Sequence, residues 1–464
     1  MGGDARRAVD ILRDEGVQSL VVKGARRAAR AVREAGRGSR PRAALGRAVR
    51  NGRRALVISR TEGTRSLAVK TLDRARVSLV TAEPSLAPRQ EIRMLVRYED
   101  ALETDWTHPR PWATSPLTVR ERGLNTAWIM HPPGESSGGA QNIVRFIRYL
   151  EDAGHRATIY LYHSADHAID ATYLRQLISA NTSYVDIAAD FRAYSPSVGV
   201  APDTDALFAT GWETAYPAFR DPSPARRFYF VQDFEPAFYP VGSEHVLAEN
   251  TYRFGFHGIT AGRWLSEKLA ADYGMRTSAF GFAADLSNYS FTRTQPGEDI
   301  FFYARPVTTR RGFELGVMAL QHVARAQPDR TIHLAGWDTS NYDLPFAHVN
   351  HGTMRISDLN ELYNKCAVGL VLSLTNLSLL PLELLASGVI PVLNRGDNNL
   401  KVAQNDFIRY ADPSPHALAS ALMQEMDRPD PHEHARRAAA SVSGLSWDEP
   451  GREFVNILVE AMRG

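Results

Sequence analysis

The chain has 464 residues, 44% of them hydrophobic, which at roughly 100–200 residues per domain predicts two to four domains with ordinary cores. A single cysteine, Cys366, excludes an internal disulfide and a cysteine-rich zinc site and fits a reducing compartment. The net charge of +2 hides a division: residues 1–60 hold 15 Arg and 1 Lys against 3 Asp and 2 Glu, a balance of +11, so residues 61–464 carry −9.

The basic segment is rich in Ala and Arg, and Val9, Ile11, Leu12, Val17, Leu20 and Val21 are spaced as on short amphipathic helices, interrupted at Gly36–Pro41. Acidic lipid would attract such an arm, since each Lys or Arg near an anionic leaflet contributes about 1 kcal/mol. The alternative is a helical extension packed on the body or on a neighbouring subunit. Aromatic residues that would stack on bases are absent from 1–60, so nucleic acid is not an expected partner. The amino terminus lacks the basic-then-apolar order of a signal peptide. Apolar runs such as Val368–Leu372 fall far short of the roughly 20 residues that cross a bilayer. The expected location is cytoplasmic, with peripheral attachment to the inner face of the plasma membrane as an extension of that reading.

Beyond a Pro/Trp-rich connector at Trp106–Pro116, the rhythm changes. An apolar run at Ala127–Met130, a loop from His131 to Gly139, and Ile143, Ile147 and Leu150 on one helical face read as strand, glycine loop, helix. Further strand candidates are Ala157–Tyr162, Tyr184–Ile187, Ala206–Thr210 and Phe228–Gln232. The pattern then recurs: Ile300–Ala304 leads to a helix carrying Phe313, Val317, Leu320 and Ala324, and Thr331–Ala335, Val368–Leu372 and Val389–Leu393 are buried-strand candidates. Alternating strands and helices predict an α/β fold of two Rossmann-like domains facing a cleft, behind a basic helical N-terminal extension. The expected boundaries are 1–90 for the extension, 91–285 and 286–440 for the two domains, and 441–464 for a C-terminal helix.

Three stretches carry candidate chemistry. In Ser373–Pro391 a polar loop (Thr375, Asn376, Leu377, Ser378) leads into a helix with Pro381 in its first turn and Gly388 at its end. A helix amino end at the carboxyl edge of a parallel sheet suits a diphosphate. Glu383 in that turn either accepts hydrogen bonds from a ribose or simply complements the helix dipole. In Phe301–Leu315, Arg305 leaves a strand and Arg310 and Arg311 precede a helix. Arg305 and Arg311 either stabilise a departing diphosphate or form ordinary ion pairs, and Arg310 is expected to face solvent. In the first half, Gly138-Gly139 permits close backbone approach, and Gln232-Asp233-Phe234-Glu235-Pro236 follows a strand candidate. Asp233 is either a base for a hydroxyl or an Asx-turn residue. His131 and Glu235 are further candidates on that side. Asp203-Thr204-Asp205 reads as a turn rather than a metal motif, His163 and His167 make a weak zinc signal, and no metal site is expected. No GxGxxG opens a helix after a strand, so a nicotinamide or flavin cofactor has little support.

Arg305–Gly312, together with Ser373 and Pro381–Val392, resembles the donor half of GT-B glycosyltransferases of the family 4 type. The likeness is closer to WsaF-type rhamnosyltransferases of bacterial surface glycan assembly, through Ala209–Ala215, Tyr229–Pro236 and Phe302–Pro306 as well. It covers about residues 120–430. The resemblance implies that 91–285 binds the acceptor and 286–440 the nucleotide-sugar donor. It implies Arg305 and Arg311 on the diphosphate, Glu383 on the nucleoside sugar, and Thr375–Ser378 on the transferred sugar or β-phosphate. Two positions depart from the family 4 pattern: Thr375 stands where a first Glu is usual, and Arg311 where Lys is usual. The implied activity moves a hexose, with rhamnose from dTDP-rhamnose favoured, to a growing glycan or lipid-linked glycan, without a metal or other cofactor. Asp233, Gly138, Gly139, His131 and Glu235 would face the acceptor, and Asp233, Arg305 and Arg311 would act in catalysis. The competing readings are a nucleotide-sugar epimerase or phosphorylase of the same fold and a non-catalytic glycan-binding scaffold.

Overall fold

Buried strands of a parallel sheet read as apolar runs because helices cover both faces, and the runs at Ala127, Ala157, Ala206 and Phe228 do form strands. In the computed structural model, which describes residue 92 and residues 94–108, 123–134, 137–163, 169–180, 184–377 and 379–463, the first sheet contains β1 (Asn125–Met130), β2 (Arg156–Leu161), β3 (Asp190–Ala193), β4 (Ala206–Ala209), β5 (Arg226–Val231), β6 (His257–Ala261) and β7 (Arg276–Phe280). They lie in the order β3-β2-β1-β4-β5-β6-β7, and every pairing is parallel. The expected strand at Tyr184–Ile187 is not one: the edge strand forms a few residues later, at Asp190–Ala193. β6 and β7 escaped the sequence reading because Gly258 and the polar residues of Arg276–Ser278 break their apolar character.

The second sheet holds β8 (Asp299–Tyr303), β9 (Ile332–Ala335), β10 (Val349–Asn350), β11 (Cys366–Val371), β12 (Ile390–Asn394) and β13 (Arg409–Ala411), in the order β10-β9-β8-β11-β12-β13 and again parallel. Both sheets reverse their winding direction once, between β1 and β4 in the first and between β8 and β11 in the second. In open α/β sheets ligands bind outside the carboxyl ends of the strands at such switch points.

Five helices matter for the site: α1 (Gly138–Asp152), α2 (Trp212–Arg220), α3 (Phe313–Ala326), α4 (Leu380–Ala386) and α5 (Asp448–Arg463). α1 starts at Ser137, whose side chain accepts the Ala140 N–H, an N-cap of the usual kind, and it buries Ile143, Val144, Ile147 and Leu150. α5 does not stay with the second sheet that precedes it. Phe454, Leu458 and Met462 pack into the core of the first sheet, with the Phe454 ring 5.0 Å from Phe146, so the end of the chain ties the two halves together. The basic segment 1–60 and the rest of the expected extension to residue 90 lie outside the described residues. Among the described residues no helix is long and apolar enough to cross a membrane.

Candidate functional site

Arg305 follows β8, and the loop Ser373–Leu377 follows β11, so the two flank the switch point of the second sheet. A short 3-10 turn, Thr309–Arg311, ends at Gly312 with φ 58°, a left-handed conformation that favours glycine. That turn aims Arg311 under the loop. Its Nη1 donates to Ser373 Oγ at 2.8 Å and toward the Asn376 carbonyl at 3.5 Å, while Ser373 Oγ donates to the same carbonyl at 2.7 Å. Arg305 Nη1 reaches the Tyr303 hydroxyl at 3.3 Å. Burial lowers the pKa of Arg311; nearby Asp233 opposes this, and Arg310 and Arg305 add to it. Three guanidinium groups thus share one partly desolvated region with one carboxylate.

Three polar atoms in this region are buried without a hydrogen-bond partner: Arg305 Nε, Thr375 Oγ1 and Asn376 Oδ1. Buried polar atoms are normally satisfied, and leaving one unpaired costs about 1–3 kcal/mol. A donor, a hydroxyl and an acceptor left open beside clustered guanidiniums fit a polyanion carrying hydroxyl groups. Leu377 is buried in the core, and Ser378 lies outside the described residues.

Arg310 does not face solvent as expected. Its Nε donates to Asp233 Oδ2 at 3.0 Å, its side chain is 26% exposed, and its guanidinium stacks on Phe238 at 3.9 Å. Asp233 Oδ1 accepts the Phe234 and Asn376 backbone N–H groups, each at 2.8 Å. The Asn376 side-chain amide donates to the carbonyls of Gln232 and Ala261 at 2.9 and 2.8 Å, and Gln232 Nε2 donates to the Gly139 carbonyl at 3.1 Å. Asp233 is therefore not a free base at a cleft wall: both oxygens are committed to a bridge that fastens the loop after β11 to the first sheet. Gly139 contributes to the same chain of contacts, where a Cβ would lie 3.4 Å from Gln232 Nε2.

Glu383 stands in the first turn of α4. Burial pushes its pKa up to about 7, with the Tyr289 hydroxyl and the Arg145 guanidinium pulling the other way. Its immediate partners, Tyr289 and Arg145, differ from the groups around Arg311. α4 is also only 7 residues long, so the arginines rather than a long helix dipole supply the positive field. Near Arg145 a cavity of about 420 Å³ opens between α1, residues 284–286 and residues 445–448, lined by Tyr149, Asp285 and Trp447 among others.

On the opposite side, β1 ends at Met130 and β4 at Ala209, the switch point of the first sheet. His131 follows β1 and Glu213 stands in the first turn of α2, just past β4, with Nε2 and Oε2 3.8 Å apart. Burial, and then His163, push the His131 pKa down to about 4; burial pushes Glu213 up to about 7. Glu235 does not line the cleft. It is 6% exposed and accepts the Trp212 N–H at the start of α2 and the Tyr229 hydroxyl, at 2.5 and 2.9 Å; burial and then Glu213 push its pKa up to about 8. Glu213 is the side chain that sequence reasoning passed over, and Arg310 the one it placed wrongly in solvent. The signal for Glu213 was its position just past the strand candidate Ala206–Thr210.

Asp203 and Asp205 do form a turn, at the amino edge of β1, where they accept the Asn125 side-chain and backbone N–H groups at 2.9 and 2.8 Å. Among the described residues no group of three or more His, Cys, Asp and Glu is placed to hold a metal ion.

Two Rossmann-like sheets with a helix crossing back from the chain end define the GT-B fold class. Residues 173–261 match the family description "WsaF, N-terminal domain" and residues 298–423 match "WsaF, C-terminal domain". Over these two stretches the chain is similar to WsaF-type GT-B glycosyltransferases. It is 30% identical over 347 residues to the O-antigen biosynthesis protein RfbC of Myxococcus xanthus, an alignment covering 73% of this chain and 27% of that much longer protein. Among solved structures, Anabaena Alr3699/HepE in complex with UDP and glucose superposes with a TM-score of 0.56 at 14% identity, covering 73% of this chain and all of that one. Staphylococcus aureus TarM in complex with fondaparinux, α-GlcNAc-glycerol and UDP gives 0.56 at 7% identity, over 72% and 99% of the two chains. At these identities the structures speak for the fold alone.

Proposed function

We propose that this protein moves a hexose, with rhamnose favoured, from a nucleotide diphosphate sugar such as dTDP-rhamnose to a growing cell-surface glycan or lipid-linked glycan. The observation that carries this reading is the cluster of Arg305, Arg310 and Arg311 at a switch point, beside three buried polar atoms with no partner. Arg305 and Arg311 hold the diphosphate and balance its growing charge as the sugar departs. The Thr375–Leu377 loop meets the β-phosphate or the transferred sugar, and Glu383, past the end of that loop, takes the nucleoside hydroxyls. Guanidinium groups provide this stabilisation without a metal ion. That HepE and TarM are solved with UDP supports a nucleotide donor for the shared fold.

A thermal-shift screen of UDP, GDP and dTDP sugars tests the reading. One donor class raises the melting temperature of the wild type, and Arg305→Ala removes most of that shift while its own ligand-free melting point stays close to wild type. An equal shift in both proteins rules out the diphosphate assignment.

Residues 1–60, at +11, attach the cytoplasmic enzyme to anionic lipid, where its lipid-linked acceptor would be. Co-sedimentation with phosphatidylglycerol vesicles is expected to fall steeply with salt and to vanish when residues 1–60 are deleted. Retained attachment after that deletion sinks the membrane role.

A further inference from the structure

The contacts around Asp233 join the two halves of the molecule where the carboxyl ends of β5 and β11 meet, and one of them hangs on a side chain that can turn away. We propose that Arg310 is a latch across the cleft, closed on Asp233 and Phe238 in the ligand-free protein and released when the donor diphosphate draws the guanidinium to itself. This rests on the transferase reading above.

By its backbone Arg310 belongs to the second half: it lies in the turn Thr309–Arg311 after β8, and its carbonyl accepts the Leu374 N–H at 2.9 Å. Its side chain reaches into the first half. Nε donates to Asp233 Oδ2 at 3.0 Å, and the guanidinium lies 3.9 Å from the centre of the Phe238 ring, which belongs to the 3-10 turn Glu235–Phe238. The carboxylate takes only Nε, and neither Nη of Arg310 has a hydrogen-bond partner among the described residues. The side chain is 26% exposed and that of Asp233 11%, so a ligand can reach the open edge of the fork. Asp233 is held in place, because its Oδ1 accepts the backbone N–H groups of Phe234 and Asn376. The carboxylate is thus fixed, and the guanidinium is the part that can move.

The driving force for release is electrostatic. At Arg311 the charges of Arg310 and Arg305 are felt as repulsion, and Asp233 is the carboxylate that offsets them. A diphosphate brings more negative charge than one carboxylate, and its paired oxygens suit a planar fork. Once seated on Arg305 and Arg311 it therefore outcompetes Asp233 for Arg310. The Asp233 Oδ2 that Arg310 leaves is directed toward the second half, where an acceptor hydroxyl can donate to it. Donor then precedes acceptor, and a glycan arriving at the empty enzyme meets a closed latch. Opening the ion pair also opposes donor binding, because apparent affinity falls by the fraction of molecules in which the latch is open.

Isothermal titration of the full chain with dTDP, and with UDP and GDP in parallel, tests the latch. The two partners of one ion pair are expected to shift affinity in opposite directions. Asp233→Asn tightens nucleotide binding about tenfold, because no ion pair has to open. Arg310→Ala weakens it about tenfold, because a charge-assisted contact to the diphosphate is gone. Phe238→Leu, which changes no charge, tightens binding about two- to fivefold through loss of the stack. With Arg310 already alanine, Asp233→Asn moves the dissociation constant by less than about twofold. A bridge that only orders the loop predicts weaker binding in all three single variants. That result, or Asp233→Asn no tighter than wild type, or Phe238→Leu at the wild-type value, overturns the latch, while nucleotide binding by the wild type keeps the donor reading. A wild type that binds none of the three nucleotides overturns both.

Discussion

Arg311→Ala is expected to reduce kcat/KM for sugar transfer by about 100- to 1000-fold, the range seen when one preorganised donor to a developing negative charge is removed. Arg311 is anchored through Nη1, which donates to Ser373 Oγ at 2.8 Å and toward the Asn376 carbonyl at 3.5 Å, so its guanidinium is positioned before a ligand arrives. Burial and two neighbouring guanidiniums act against its charge, which makes an incoming diphosphate the group that relieves the local repulsion. Stability should respond differently: the ligand-free variant keeps its melting point close to wild type, because the desolvation cost and the repulsion leave together with the lost hydrogen bonds. Arg311→Lys is not a repair, since an ammonium cannot hold the loop and a phosphate oxygen through one planar fork. The measurement is steady-state kinetics at saturating acceptor, in buffer with and without EDTA. Activity within threefold of wild type for Arg311→Ala, or loss of wild-type activity in EDTA, would remove the arginines from the centre of the mechanism.

The strands, loop and helix that carry Arg305, Arg311 and Glu383 were legible because their signals are local. Arg305 and Arg311 sit next to apolar runs that could only be buried strands, and Ser373–Gly388 carries its own loop, Pro and Gly punctuation. The first sheet was legible where both of its faces are covered, as in β1 and β4, and illegible where polar residues interrupt the run, as in β6 and β7. What sequence could not supply was pairing at a distance. Arg310 and Asp233 are 77 residues apart and Asn376 and Asp233 are 143 apart, and nothing in either local pattern marks them as partners. Each side chain therefore reads by itself as an ordinary loop charge. The same holds for Glu213 and His131, whose meeting depends on β4 lying beside β1. Glu383 shows the opposite failure: its local setting was right, but the groups around it, Tyr289 and Arg145, come from segments with no motif of their own.

Asp233→Ala is expected to destabilise the protein by about 2–3 kcal/mol, because truncation strands Arg310 and the Asn376 N–H in a region with little water. The side chain is 11% exposed and its carboxylate accepts three hydrogen bonds, so little solvent is at hand to replace it. Asp233→Asn separates a bridging role from a catalytic one. An amide oxygen can still accept from the Phe234 and Asn376 backbones, while the charge opposite Arg310 is lost. Transfer by Asp233→Asn should stay within about tenfold of wild type, whereas a general base replaced by an amide would cost about 100- to 10,000-fold. Coupling is expected too: once Arg310 is alanine, Asp233→Asn should cost much less stability than it does alone, since the ion pair is the interaction being removed. Thermal unfolding of the two single variants and the double variant, with kcat measured on the same preparations, decides the matter. Additive stability losses together with a collapse of kcat in Asp233→Asn alone would return Asp233 to the role of base and leave the loop after β11 without its anchor.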